Sequence, residues 1–204
     1  LPPITSYGSD VTYHLPEWGD LRAVTQAIES QLRTSDTQVI CPNNIGYWGA
    51  TRLNQVVSRI LNPGPRLSVG NKEFRAGDRV VFAKNDYRLE VYNGDVGVIR
   101  DIDAHGAVVD VGGKVDPVEL DKGALADLLE LAYALTVYKA QGAEFDDVVV
   151  VLEPPAEKHA YRNLIYTAVT RAAKRLSLVV GGGFRACAAR PDPARRATRL
   201  AQRI

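Results

Sequence analysis

Residues 148–151 are four consecutive valines, set within "FDDVVVVL". β-branched side chains favour strands, and successive residues of a strand point to opposite faces. A strand that is apolar on both faces has to be covered on both, which is the condition of a parallel strand inside a layered α/β domain. Two more runs share this character, "LAYALT" at 131–136 and "RLSLVV" at 175–180, which ends at "GGG". Between the valines and the last run, "AYRNLIYTAVTRAA" reads as a helix. Ile165, Val169 and Ala172 form its inward stripe, Arg171 lies at the edge of that stripe, and Lys174 follows one turn on. Strand, helix and strand at this spacing predict a doubly wound parallel sheet.

The first seventy residues carry the same alternation. "PEWGDLRAVTQAIESQL" has Leu21, Val24, Ile28 and Leu32 at helical spacing. "TQVICP" is a short buried strand stopped by proline, and "PNNIGYWG" is a polar loop. "ATRLNQVVSRIL" is a second amphipathic helix, closed by "NPGP". Near residue 71 the texture changes to short valine-rich segments punctuated by Gly and Asp. Asn93-Gly94, between "LEVY" and "VGVIRDI", is a hairpin signal. Four or five short strands here predict a small Src-homology-3-type β-barrel over 71–121. It is inserted in an α/β domain made of 1–70 and 122–204. The tail "DPARRATRLAQRI" reads as a basic amphipathic helix or a frayed end.

Composition sets outer limits. The chain has 204 residues, 46% hydrophobic and 24% charged, as expected for a soluble globular protein. No apolar run reaches the roughly 20 residues that span a bilayer. There is no Met anywhere and no signal-peptide pattern at Leu1-Pro2-Pro3-Ile4, so the expectation is an excised piece of a longer cytoplasmic protein. Cys41 and Cys187, far apart in apolar surroundings, suit reduced thiols, and no metal-ligand spacing joins them to the three His. From Pro155 onward eleven Lys and Arg face two Asp and Glu, a net +9, and the remainder nets −8. That asymmetry fits either a polyanion partner or a solvated helix face.

The polar stretch "TVYKAQGAE" (136–144) interrupts two buried strands. Ligands of open α/β sheets bind beyond the carboxyl ends of the strands, and this stretch follows such an end. Gly142 would let backbone approach a ligand closely. Glu144 can accept hydrogen bonds from sugar hydroxyls, and Thr136 and Lys139 can hold a phosphate oxygen. The same residues also suit a tight polar connection between core strands. An arginine at the position of Arg171 needs a partner: a nucleotide γ-phosphate or a buried carboxylate would serve.

"YALTVYKAQGAEFDDVVVVL" followed by "RNLIYTAVTRAAKRLSLVVG" resembles the last two conserved motifs of superfamily 1 DNA helicases. The likeness is closest to the RecD-like branch, the exodeoxyribonuclease V alpha-subunit family. "CPNNIGYWGATRLNQVVSRILNP" is similar to the motif opening that family's second RecA-like domain, and "GDRVVFAKNDYRLEVYNGDVGVI" to the small barrel inserted in it. The resemblance covers residues 37–182. It implies that Arg171 is the arginine finger that reaches the γ-phosphate, with Gly142, Glu144 and Asn44 beside the nucleotide. It further implies that Thr136, Tyr138, Lys139, Gln141 and Thr51 face single-stranded DNA, with Lys84 and Arg88 as weaker candidates on the barrel, where solvated surface charge is the other reading. Tyr138 replaces the family's His, Ala140 and Ala143 replace its two Ser, and Asn44-Ile45 replace a basic pair.

No G-x-x-x-x-G-K-[ST] phosphate loop occurs. "GAVVDVGGKV" imitates its ending, but the glycine spacing is one residue too long and Val115 stands where a Ser or Thr should hold Mg²⁺. ATP with Mg²⁺ would therefore be held mainly by a first motor domain absent from this chain, and the isolated chain is expected to be inactive. The implied function is the C-terminal motor domain of an ATP-dependent helicase or translocase on single-stranded DNA, in recombination or repair. Its partners would be the missing N-terminal RecA-like domain, single-stranded DNA and other recombination subunits, with no membrane. The alternatives are a catalytically inactive nucleic-acid-binding module of the same fold, or the helicase part of a conjugative relaxase.

Overall fold

The computed structural model describes residues 4–7, 11–14, 21–34, 37–152, 162–180 and 184–189. The chain opens with strands β1 (Ile4–Tyr7) and β2 (Val11–His14), helix α1 (Leu21–Thr34), strand β3 (Thr37–Cys41) and helix α2 (Ala50–Leu61). It then leaves the main sheet for β4 (Arg66–Val69), β5 (Lys72–Arg75), β6 (Arg79–Phe82), β7 (Val96–Ile102), β8 (Gly106–Val111), β9 (Val118–Asp121), α3 (Lys122–Leu128) and β10 (Leu129–Leu131). It returns with β11 (Ala134–Thr136), β12 (Phe145–Leu152), α4 (Arg162–Val169), β13 (Ala172–Val180) and α5 (Phe184–Ala189).

The main sheet has the order β1-β2-β13-β12-β3-β11. All its pairings are parallel except the β1–β2 hairpin at one edge, which sequence periodicity did not reveal. The valine run sits where its chemistry requires, between β13 and β3. Val149 and Val151 face a core shared with Val24, Ile28, Leu53 and Val57 of α1 and α2. Val148 and Val150 face the opposite core, with Ile165 and Ala168 of α4. One strand thus feeds two hydrophobic layers, which is the doubly wound arrangement.

The second body is a five-stranded antiparallel half-barrel, order β10-β6-β7-β8-β9, with the β4–β5 hairpin packed against its core. Leu67, Phe74, Phe82, Ile99, Val109 and Leu129 fill that core. α3 and β10 belong to it although they lie beyond residue 121, and the β4–β5 hairpin begins at Arg66, ahead of residue 71. "LEVY" is not a strand: Val91 alone bridges Asp86, and the Asn93-Gly94 turn leads from there into β7. "GAVVDVGGKV" is β8 and the turn after it, with no helix following.

Two expectations need correction. "LAYALT" is two strands rather than one. Leu129–Leu131 pair antiparallel with Val80–Phe82 of the small sheet, whereas Ala134–Thr136 pair parallel with Val39–Cys41 of the main sheet. A hydrophobic run cannot reveal that its two halves serve different sheets. Second, α4 stops at Val169, so Arg171 lies in the turn after the helix, and Lys174 is on strand β13. Ala172, Ala173, Lys174 and Arg175 are good helix formers by local preference, and pairing of β13 with β12 overrides that preference.

The two bodies meet at a buried polar joint. Asp78, fully buried, accepts hydrogen bonds from Ser58 Oγ (2.9 Å) and Asn62 Nδ2 (2.8 Å) of α2 and its cap, and from the Arg75 N–H (2.8 Å). The hydroxyl of Tyr133, at the crossing between the sheets, donates to it at 3.1 Å. Burial raises the Asp78 carboxyl above the ordinary carboxylate range, and these hydrogen bonds pull against the rise. Desolvation, together with the neighbouring Asp78 charge, pushes the Tyr133 hydroxyl far up as well. The basic C-terminal tail falls outside the described residues, and among those described no helix is long and apolar enough to cross a membrane.

Candidate functional site

Thr136 and the loop before α2 lie at the carboxyl ends of β3 and β11, which run parallel and in register, whereas Gly142, Glu144 and Arg171 flank the amino ends of β12 and β13, so the expected carboxyl-end placement holds only for the first group. β11 is an edge strand of only three residues, and Asn54 of α2 holds it from the side. The Asn54 amide donates to the Ala134 carbonyl (2.9 Å) and its oxygen accepts from the Ala134 N–H (2.8 Å). Beyond Thr136 the chain winds into a compact turn. The Val137 N–H reaches the Cys41 carbonyl (3.0 Å), the Ala140 N–H that of Thr136 (3.0 Å), and the Ala143 N–H that of Ala140 (3.2 Å). Thr136 Oγ1 accepts from the Lys139 N–H (3.3 Å), the local side-chain bond that favours Thr at such starts. Ala140 is fully buried against the α4 layer, which accounts for a small apolar residue there. Gly142 has φ of +85°, a left-handed conformation, and open space lies where a side chain would project.

Arg171 clasps this turn. Its guanidinium donates to the Ala143 carbonyl at 2.9 Å (Nη1) and the Thr167 carbonyl at 3.1 Å (Nε). Its own carbonyl accepts from the Phe145 N–H at 2.9 Å. Nη2 reaches Thr170 Oγ1 at 3.4 Å. Among the described residues these acceptors are all neutral, so no carboxylate cancels the charge. Glu144 is exposed two residues from Gly142. Arg171, Gly142 and Glu144 therefore form one cluster.

Asn44, Thr51, Thr136 and Lys139 form a second group, around a cleft of about 220 Å³. Asn44 bonds to the first turn of α2: its carbonyl accepts from the Thr51 N–H (3.1 Å) and its side-chain oxygen from the Thr51 hydroxyl (3.3 Å). It thus sits with Thr51 rather than beside Arg171. Lys139 Nζ is 2.6 Å from Glu130 Oε2. Tyr138 is 68% exposed, and Gln141 is exposed beside it. On the half-barrel, Lys84 pairs with Asp127 and Arg88 with Asp86, all surface ion pairs apart from the more covered Asp86. Glu130 and Asn54 were missed in the sequence: Glu130 lies outside the motifs, nothing within the stretch opening at Cys41 singles out Asn54, and both act across chain distances that only the fold closes.

Sequence comparisons bear on the two-body fold. The family model of the UvrD-like helicase C-terminal domain matches residues 131–179, and that of the ATP-dependent RecD-like DNA helicase SH3 domain matches 53–112. The ATP-dependent RecD2 DNA helicase of Deinococcus radiodurans is 36% identical over 204 aligned residues, covering 93% of this chain and 28% of that protein. The RecBCD enzyme subunit RecD of Mycobacterium tuberculosis is 38% identical over 129 residues, 63% of this chain and 22% of that subunit. The chain thus spans about a quarter of the length of these curated relatives. Among solved structures, Pif1 helicase from Candida albicans superposes with a TM-score of 0.53 at 15% identity, over 81% of this chain and 50% of that one. Bacteroides Pif1 in complex with ADP-AlF3 and ssDNA gives 0.52 at 14%, over 77% and 44%. At that identity the likeness is one of fold.

Fold and sequence define a RecA-like doubly wound domain of the DNA helicase class with an inserted SH3-like half-barrel. The chain belongs to the RecD-like superfamily 1 DNA helicases and corresponds to their C-terminal portion.

Proposed function

We propose that this chain is the second motor domain of an ATP-driven translocase on single-stranded DNA. It would supply an arginine finger and half of the strand's track to a cytoplasmic helicase of recombination or repair. The observation that carries this reading is the environment of Arg171. Among the described residues its guanidinium is held by the neutral carbonyls of Ala143 and Thr167 and by the Thr170 hydroxyl, which leaves its positive charge for an incoming phosphate.

The residues present fit a nucleotide. Gly142 exposes backbone with nothing over it, Glu144 offers a carboxylate to ribose hydroxyls, and Arg171 offers charge. Bound ATP with Mg²⁺ would supply the phosphoryl bond whose hydrolysis drives movement, held mainly by a P-loop domain that joins this one. Arg171 would neutralise charge that develops on the phosphoryl group, a contribution worth about 10³–10⁵ in rate for such arginines. Because its carbonyl and guanidinium both bind residues 143–145, a shift of Arg171 would carry the turn with it. Thr136, Lys139 and Thr51, on the other side of that turn, would hold the DNA backbone without reading sequence. Asn44, bonded to Thr51, would belong to this strand-side group.

The experiment is single-strand-stimulated ATP hydrolysis by the chain joined to its P-loop domain. A loss of about a hundredfold or more in Arg171→Ala is expected, and the 204-residue chain alone is expected to show no turnover.

A further inference from the structure

Two clefts meet at one ion pair. The cleft of about 220 Å³ lies between α2 and the β4–β5 turn, lined by Thr51, Gln55, Asn71 and Thr136. A larger one, about 1090 Å³, lies between the half-barrel and the polar turn and is mostly apolar, with Val81, Val96, Val98 and Phe145 on its walls. Among the described residues only Leu135, Glu130 and Lys139 border both. Glu130 comes from β10 of the half-barrel and Lys139 from the turn of the main sheet, so their 2.6 Å contact spans the two bodies.

We infer that the Glu130–Lys139 ion pair is a gate: the phosphate backbone of a single strand takes Lys139 from Glu130 and joins the two clefts into one channel, with bases against the apolar wall of the larger. The inference rests on the single-strand reading above. The pair is suited to exchange. Its side chains are 52% and 42% exposed, and exposed ion pairs contribute little and are screened by salt. A nucleic-acid backbone is the stronger competitor for the ammonium, because binding it releases condensed counterions. The larger cleft carries few charges along its length: Arg79, which donates to the Thr37 carbonyl, the Glu130–Lys139 pair, and Asp110, which is paired with Arg100. Its apolar wall suits the faces of unstacked bases instead. The backbone then follows Lys139 and Thr136 while the bases turn toward Val96 and Val98.

The test is anisotropy of a fluorescein-labelled dT12 oligonucleotide with the chain at low salt. Glu130→Gln is expected to tighten binding about two- to fivefold, the scale of an exposed ion pair. That gain should vanish when Lys139 is also changed to Ala. A gain that persists beside Lys139→Ala would mean only that removing any negative charge helps, and the gate would be wrong. Tight binding by the unaltered chain with no change in Glu130→Gln would also overturn the gate while leaving the single-strand reading standing. No binding by any variant would overturn both. Displacement of dT12 by a poly-glutamate peptide of equal charge would overturn the choice of occupant.

Discussion

Arg171 Nη1 and the carbonyl oxygen of Ala143 are 2.9 Å apart, and this bond joins the end of α4 to the turn that follows β11. It brings into contact two segments separated by 28 residues, both within the stretch matched by the UvrD-like helicase C-terminal domain. The parallel pairing of β12 with β13, from Phe145–Ala172 to Leu152–Val180, fixes that proximity.

Gly142 and Gly77 share a positive φ, +85° and +86°, but differ in surroundings. A methyl on Gly142 meets nothing within 4 Å, so Gly142→Ala should cost only the backbone penalty, about 1–2 kcal/mol. On Gly77 it would lie 2.6 Å from Asn62 Oδ1 within the polar joint, so Gly77→Ala should cost more. Urea denaturation of both variants checks the order.

Asn54 satisfies both backbone groups of Ala134 on an edge strand. Asn54→Ala leaves a buried donor and acceptor unpaired, which costs about 1–3 kcal/mol for each group so exposed to the loss. Hydrogen exchange at the Ala134 amide should accelerate well before that of Val149 in the sheet centre. Equal protection at both would show that α2 does not hold β11.

Asp78 predicts a pH dependence with a definite sign. Burial raises its folded pKa above the unfolded value near 3.8, so the folded state binds the proton more tightly. Its contribution to stability is then greatest below about pH 3.8 and falls as pH rises through the folded pKa. The stability gap between the native chain and Asp78→Ala should therefore be wider at pH 4 than at pH 7. A gap that widens toward neutral pH would reverse the assignment.

The sequence displayed its core openly. Val148–Val151 declared a strand covered on both faces, and the stripes of α1 and α2 declared their buried sides, because hydrophobic period follows directly from local geometry. The extent of α4 and the division of "LAYALT" were not legible. Leu131 and Ala134 are similar in character, and only long-range pairing sends one to each sheet. The motif residues around Gly142 and Arg171 could be named from resemblance. That Asn44 groups with Thr51, and that Glu130 holds Lys139, depends on contacts across the fold that no local pattern encodes.

The central claim is tested most directly by Arg171→Ala in the chain joined to its P-loop domain, with ATP turnover, dT12 affinity and melting temperature measured on the same preparation. The account predicts stimulated turnover lower by about a hundredfold or more, with strand affinity and melting temperature little changed, since the substitution removes hydrogen bonds only from two partly exposed carbonyls and the exposed Thr170 hydroxyl. Turnover equal to that of the native protein would contradict it, and so would a loss fully matched by unfolding.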